Sequence, residues 1–164
     1  MLSIPVLSSL SLVSIPRAVN KNLDEFFALT LISPDRIGQH YPISSKHCIY
    51  QRGRHMDVAQ VEFLKSVLKE KNLIWDDLDE FCLLLYKNVD EHDDVPSKVG
   101  RFSGMFFHVV LRGTGMLIFP KCKSKPAIHL KRGVCFLMNP RVAHQVLNGE
   151  GGIASLCATV QAPK

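Results

Sequence analysis

The sequence predicts a mostly-β fold, an antiparallel barrel or sandwich with one or two supporting helices ahead of it. Three observations predict it. Seven short apolar stretches follow one another in the second half with no helical pattern between them. A single clear amphipathic stripe precedes them, and a glycine-bracketed turn joins two of the stretches. At 164 residues the chain is long enough for one domain with a real core. Residues 1–75 are expected to form an N-terminal arm with supporting helices, and residues 76–164 the β core.

The elements follow in order. Met1 to Pro16 is apolar and serine-rich, but no basic residue precedes the apolar run and Pro5 and Pro16 interrupt it. It therefore reads as an extended arm or strand packed on the domain rather than as a signal peptide. Asn22 to Thr30 can form a short helix, Ser33 to Gly38 a turn, and the CIYQ segment beginning at Cys48 a short strand. The clearest helix runs from Asp57 to Lys71. Val58, Val61, Phe63, Leu64, Val67 and Leu68 recur largely at three- and four-residue steps, which makes one apolar stripe. Asp57 suits the N-cap, and lysines in the last turn oppose the helix dipole favourably. The stripe should lie against the outside of a sheet.

After the acidic segment Trp75 to Glu80 come Phe81–Tyr86, Met105–Leu111, Met116–Phe119, Ala127–Leu130, Val134–Met138, His144–Leu147 and Ile153–Val160. Each is rich in β-branched or aromatic residues and is bounded by Gly, Pro, Asn or Lys. Arg112 to Gly115 is a hairpin turn, because glycine supplies the positive φ that tight turns require.

Composition narrows the function classes. Hydrophobic residues make up 46% and charged residues 21% of the chain, which excludes wholesale disorder. A net charge of +5 favours contact with a nucleic-acid backbone or an acidic protein without specifying either. The basic clusters around His129 and around His47 and His55 follow the same logic, as solvated loops or as phosphate contacts. No apolar run reaches the roughly 18 residues that cross a bilayer, and no phosphate-loop or dinucleotide fingerprint is present. The five cysteines form no CxxC pair, and several sit in apolar runs, where a thiol behaves as a small buried hydrophobe. Their odd number and scatter fit a reducing, cytoplasmic compartment. No neighbouring cation in the sequence activates any of them as a nucleophile.

The chemistry concentrates in VDEHDDVPS. In extended chain His92 and Asp94 point to one face, so an imidazole and a carboxylate can share one metal ion. Asp93 is the alternative carboxylate, facing the other way. His144, fifty-two residues later, sits on another strand after a proline turn. Two histidines and a carboxylate form the facial triad of non-haem Fe(II), although Mn, Ni and Zn accept the same ligands. Alternatively, His92 and the aspartates occupy a solvated turn before Pro96, and His144 caps a strand. His108, inside an apolar strand, reads as lining the barrel near the metal or as a core histidine. Tyr86 reads as a hydrogen-bond donor to a bound co-substrate or as a packing aromatic.

From Phe81 to Val160 these residues resemble the double-stranded β-helix (jelly-roll) core of the Fe(II)/2-oxoglutarate-dependent dioxygenases. HDD matches the HxD of that family, MFFHVVLRGTGMLIF its next hairpin, and HLKRGVCFLMNPRVAHQV the approach to the second histidine. GGIASL is similar to the late strand that ends the motif. The resemblance implies Fe(II), or another divalent metal, on His92, Asp94 and His144, and hydroxylation or demethylation of an unidentified substrate. It implies Ser155 as a hydrogen-bond partner of the 2-oxoglutarate carboxylate. The chain departs from the pattern at Ile153, where the family places an arginine or lysine for that carboxylate. Arg101, Arg112 and Arg132 are the cations left to replace it. A second resemblance is to the cupins, whose second motif ends as HQVLN does here, while the first cupin motif has no counterpart near His92. The alternatives to an oxygenase are thus a cupin-type metal protein and a catalytically inactive jelly-roll protein that binds or inhibits a partner through its surface.

Overall fold

The computed structural model describes residues 11–21, 23–24, 27, 42–44, 47–75, 80–86, 88–92, 104–124, 126–149 and 151–161. The helix expected over Asn22 to Thr30 and the turn at Ser33 to Gly38 lie largely or wholly outside them. Strand β1 (Ser11–Leu12) is the described end of the N-terminal arm and pairs with Val134 and Cys135. A 3-10 turn at Arg17–Asn20 follows, then β2 (Pro42–Ser44) and β3 (His47–Arg52).

Helix α1 (Val58–Glu70) forms where the apolar stripe predicted it. The Asp57 carboxylate accepts from the Ala59 amide at 3.0 Å and caps its start. At the other end the amides of Asn72 and Leu73 donate to the carbonyls of Lys69 and Leu68, and Asn72 has φ 55°. This paired reverse bonding closes the last turn. Leu64, Val67 and Leu68 are buried, but Val58, counted in the stripe, lies in the first turn and is 74% exposed.

The remaining strands are β4 (Cys82–Tyr86), β5 (Val89–His92), β6 (Met105–Arg112), β7 (Gly115–Ile118), β8 (Ala127–Leu130), β9 (Val134–Met138), β10 (His144–Leu147) and β11 (Ile153–Val160). All pairs are antiparallel. A seven-stranded sheet runs β1-β9-β6-β11-β4-β3-β2 and a four-stranded sheet β5-β10-β7-β8. Around the β7–β8 hairpin the strands nest, β6 on β9, β5 on β10 and β4 on β11. A long hairpin wrapped between two sheets in this way is a jelly roll, so the core has the double-stranded β-helix topology.

Strands β4, β6, β9 and β11 of the large sheet are buried on both faces, which explains their nearly unbroken apolar runs. The sheet's outer face shares one core with α1, to which Leu83, Leu85, Phe107, Val109, Leu156 and Val160 contribute from the sheet and Leu64, Val67 and Leu68 from the helix. Its inner face joins the small sheet through Tyr86, Val110, Phe136, Leu117 and Phe119. Strand β11 alternates between the two, with Ala154, Leu156 and Ala158 outward and Ile153 inward. Period-2 geometry places Ser155, Cys157 and Thr159 on the same inward face as Ile153. At the β6–β7 turn Gly113 has φ 95°, as the hairpin reading requires. No helix among the described residues is long and apolar enough to cross a membrane.

Candidate functional site

Two of the three expected metal ligands stand side by side. His92 ends β5 and His144 begins β10, and the two are directly opposed in the antiparallel register. Their ring centroids are 4.4 Å apart with planes inclined by 56°. His144 is buried and shares its inward face with Val146, while His92 is half-buried. The ring of Phe119 lies 6.3 Å from that of His144 and forms an apolar flank.

The backbone fixes how these imidazoles present themselves. Nδ1 of His92 lies 2.8 Å from the Asp90 carbonyl oxygen, and Nδ1 of His144 lies 2.8 Å from that of Val142. A carbonyl oxygen only accepts, so Nδ1 carries the proton in both rings. In the neutral rings each Nε2 would then hold the lone pair, the arrangement that metal-bound histidines adopt through a donor bond on the opposite nitrogen. Two imidazoles bound about 2.1 Å from one ion, at roughly a right angle, have ring centroids about 4.5 Å apart. The observed separation and the donor chemistry both fit one divalent ion. Asp94, Asp93 and Arg101 lie outside the described residues. Among the described residues no cluster of three or more His, Cys, Asp or Glu side chains is arranged to hold a metal.

Tyr86 and Ser155, each expected to contact a co-substrate, contact one another. The phenol and hydroxyl oxygens are 2.8 Å apart and both groups are buried. Burial pushes the Tyr86 phenol well above its ordinary range, the Ser155 hydrogen bond opposes this, and nearby Cys157 adds to it. Ile153 is opposite Tyr86 on the neighbouring strand and fully buried in the inner core. Its side chain therefore fills the place where a co-substrate cation was sought. Neither described substitute faces inward. Arg112 pairs with Asp24 at 2.6 Å and lies over the Phe27 ring at 4.4 Å, and Phe27 packs on the outer core. Arg132 donates to the Asn20 side chain and the Leu111 carbonyl. With Lys131 they line a surface depression of about 530 Å³ beside the Gly113 turn. Neither histidine contributes to it.

His108 does line the interior. It stacks on Phe136 with centroids 4.9 Å apart and planes 10° from parallel. Its Nε2 is 3.7 Å from the Cys157 sulfur. Sequence reasoning missed this contact, because forty-nine residues separate the two and only the β6–β11 register joins them.

No protein-family model and no curated protein matches this sequence. Among solved structures the chain is similar to a viral collagen prolyl hydroxylase from Paramecium Bursaria Chlorella virus-1. That alignment has 14% identity and a TM-score of 0.48, and covers 94% of this chain and 90% of the other. It is also similar to an RmlC-like cupin protein from Desulfovibrio desulfuricans, at 17% identity and TM-score 0.34, over 54% of this chain and 77% of the other. A third similarity is to vicilin from hazelnut, Corylus avellana, at 17% identity and TM-score 0.38, over 59% of this chain and 26% of the other. The jelly-roll assignment itself rests on the strand order and register of this chain.

Proposed function

We propose that this chain is a jelly-roll metalloprotein that holds one divalent ion, Fe(II) by its sequence resemblance, on His92, His144 and Asp94. The observation that carries the reading is the pair of opposed histidines with both Nδ1 atoms tied to backbone carbonyls. The backbone bonds orient the rings, and Phe119 gives the site an apolar flank that limits water. Held by this triad, Fe(II) would supply dioxygen activation, the chemistry of hydroxylation and demethylation. The substrate remains an expectation from charge, a nucleic acid or an acidic protein.

The test is anaerobic titration of the full chain with Fe(II), with and without 2-oxoglutarate, followed by assay for succinate. Loss of one hydrogen-bond partner of a ligand already weakens metal sites by about 10- to 100-fold, so His92→Ala and His144→Ala should each cost about 100-fold or more. Equal Fe(II) affinity in the wild type and both variants refutes the site.

Ile153 favours a second reading. Its burial, with Arg112 and Arg132 turned outward, supports a metal or binding protein that does not use 2-oxoglutarate. Fe(II) binding without succinate, joined to a stoichiometric partner retained after chelation, supports that reading over the oxygenase.

A further inference from the structure

A second cluster of reactive groups lies on the inner face of the large sheet. Cys157 on β11 is opposite Cys82 on β4 and, on its other side, opposite His108 on β6. Directly opposed residues share a face, so Cys82, Cys157 and His108 form one row across three strands. Opposed residues of antiparallel strands have Cα atoms about 4.5 or 5.5 Å apart, inside the roughly 4.4–6.8 Å that a disulfide spans. Neither is held in a disulfide. The row is nearly enclosed but not sealed, with Cys82 9%, Cys157 7% and His108 8% exposed. Two other cysteines are placed differently. Cys135 faces the outer core and lies 2.9 Å from the Ser11 hydroxyl, and Cys122 is in the turn between β7 and β8.

We infer that Cys82 and Cys157 are a redox-active dithiol, with His108 as proton acceptor for Cys157, which small peroxides convert to an intramolecular disulfide. His108 Nε2, at 3.7 Å, takes the Cys157 thiol proton. The thiolate attacks one peroxide oxygen, the O–O bond breaks, and the departing hydroxide recovers the proton from His108 as water. Cys157 is then a sulfenic acid, oxidised by two electrons. The Cys82 sulfur attacks it, the S–S bond forms, the S–O bond breaks, and the Cys82 proton leaves with the hydroxide as a second water. Two thiols and one hydrogen peroxide thus give one disulfide and two waters. The inference is independent of the metal reading, since none of the three residues is a proposed ligand.

The full chain, treated with hydrogen peroxide in the presence of a chelator, is alkylated, digested and mapped by mass spectrometry. The expected product has lost two hydrogens and contains a peptide linking Cys82 to Cys157. In Cys82→Ala, dimedone should trap a sulfenic acid at Cys157. In His108→Gln, disulfide formation should slow by about tenfold or more. A natively folded wild-type chain in which both cysteines remain alkylatable, or in which the link joins another pair, overturns the dithiol. An unchanged rate in a folded His108→Gln overturns the role of the imidazole. The wild-type map stands even if a variant fails to fold.

Discussion

The hydrogen bond between Tyr86 and Ser155 allows a quantitative test of the barrel interior. Both groups are buried, Ser155 completely, and their oxygens are 2.8 Å apart. Tyr86→Phe removes the phenol oxygen and leaves the Ser155 hydroxyl without this partner, away from water. Losing the bond and stranding its partner should cost about 1–3 kcal/mol. Ser155→Ala strands the phenol instead and should cost a similar amount. The double variant removes donor and acceptor together, so the second change should add little to the first. The double-mutant cycle should therefore give a coupling of about 1–2 kcal/mol, well above the roughly 0.3–0.5 kcal/mol seen for independent sites. Urea unfolding of the four proteins at neutral pH, with comparable m-values, measures it. Strict additivity would refute the bond as a feature of the folded protein. Fe(II) affinity measured on the same proteins should stay nearly constant, because neither residue is a proposed ligand. A collapse of metal binding in Tyr86→Phe would instead show that the two sites are one.

Three further outcomes follow from the packing and the titration of the interior. Leu64→Ala, in the fully buried part of the α1 stripe, should cost about 2–5 kcal/mol, whereas Val58→Ala on the exposed first turn should stay within about 0.5 kcal/mol; urea midpoints compare them. Gly113→Ala should destabilise by at least about 2 kcal/mol in the same assay, since φ is 95° and a Cβ would strike the Gly152 carbonyl and approach Ile153 Cα to 2.9 Å. The raised Tyr86 phenol gives a stability contribution complete below the ordinary tyrosine value near 10 and lost as pH rises from there towards the folded value. Between pH 10 and 11 the wild type should lose about 1 kcal/mol more than Tyr86→Phe, and parallel pH profiles would count against a buried phenol.

Local patterns in the sequence foretold most of the core, for a physical reason in each case. The α1 stripe, the Arg112–Gly115 turn and the apolar runs at Ile153–Val160 and Val134–Met138 are properties of neighbouring residues, and their segments formed as expected. Strand β5 was absent from the seven expected stretches because only Val89 is buried and Asp90 and Glu91 face solvent. Its composition looks like a loop, and its pairing with β10 makes it a strand. The fates of Arg112 and Arg132 were equally illegible. Each is a cation in a turn by sequence, and contacts with Asp24 and Phe27 or with Asn20 and Leu111 direct them away from the interior. The Cys157–His108 contact depends on the β6–β11 register, which shifts at Ala154/Ser155 and no local pattern encodes.

Register is also what the metal reading stands on. Among the described strands a residue of β5 pairs with residues of β10 alone, however long the intervening chain. A separation of 52 positions between two histidines is therefore no obstacle to a shared ion, because the β6–β9 and β7–β8 pairs sit inside the loop they close. The side chains of β10 alternate, His144 and Val146 inward and Gln145 and Leu147 more exposed. A one-residue slip would turn His144 outward and bring Gln145 in its place, offering an amide where an imidazole is required. The buried Val146, seated among Val89, Leu117 and Phe119 in the inner core, opposes that slip. Core packing two residues beyond His144 thus holds the imidazole at the site, linking the apolar pattern of β10 to the proposed chemistry.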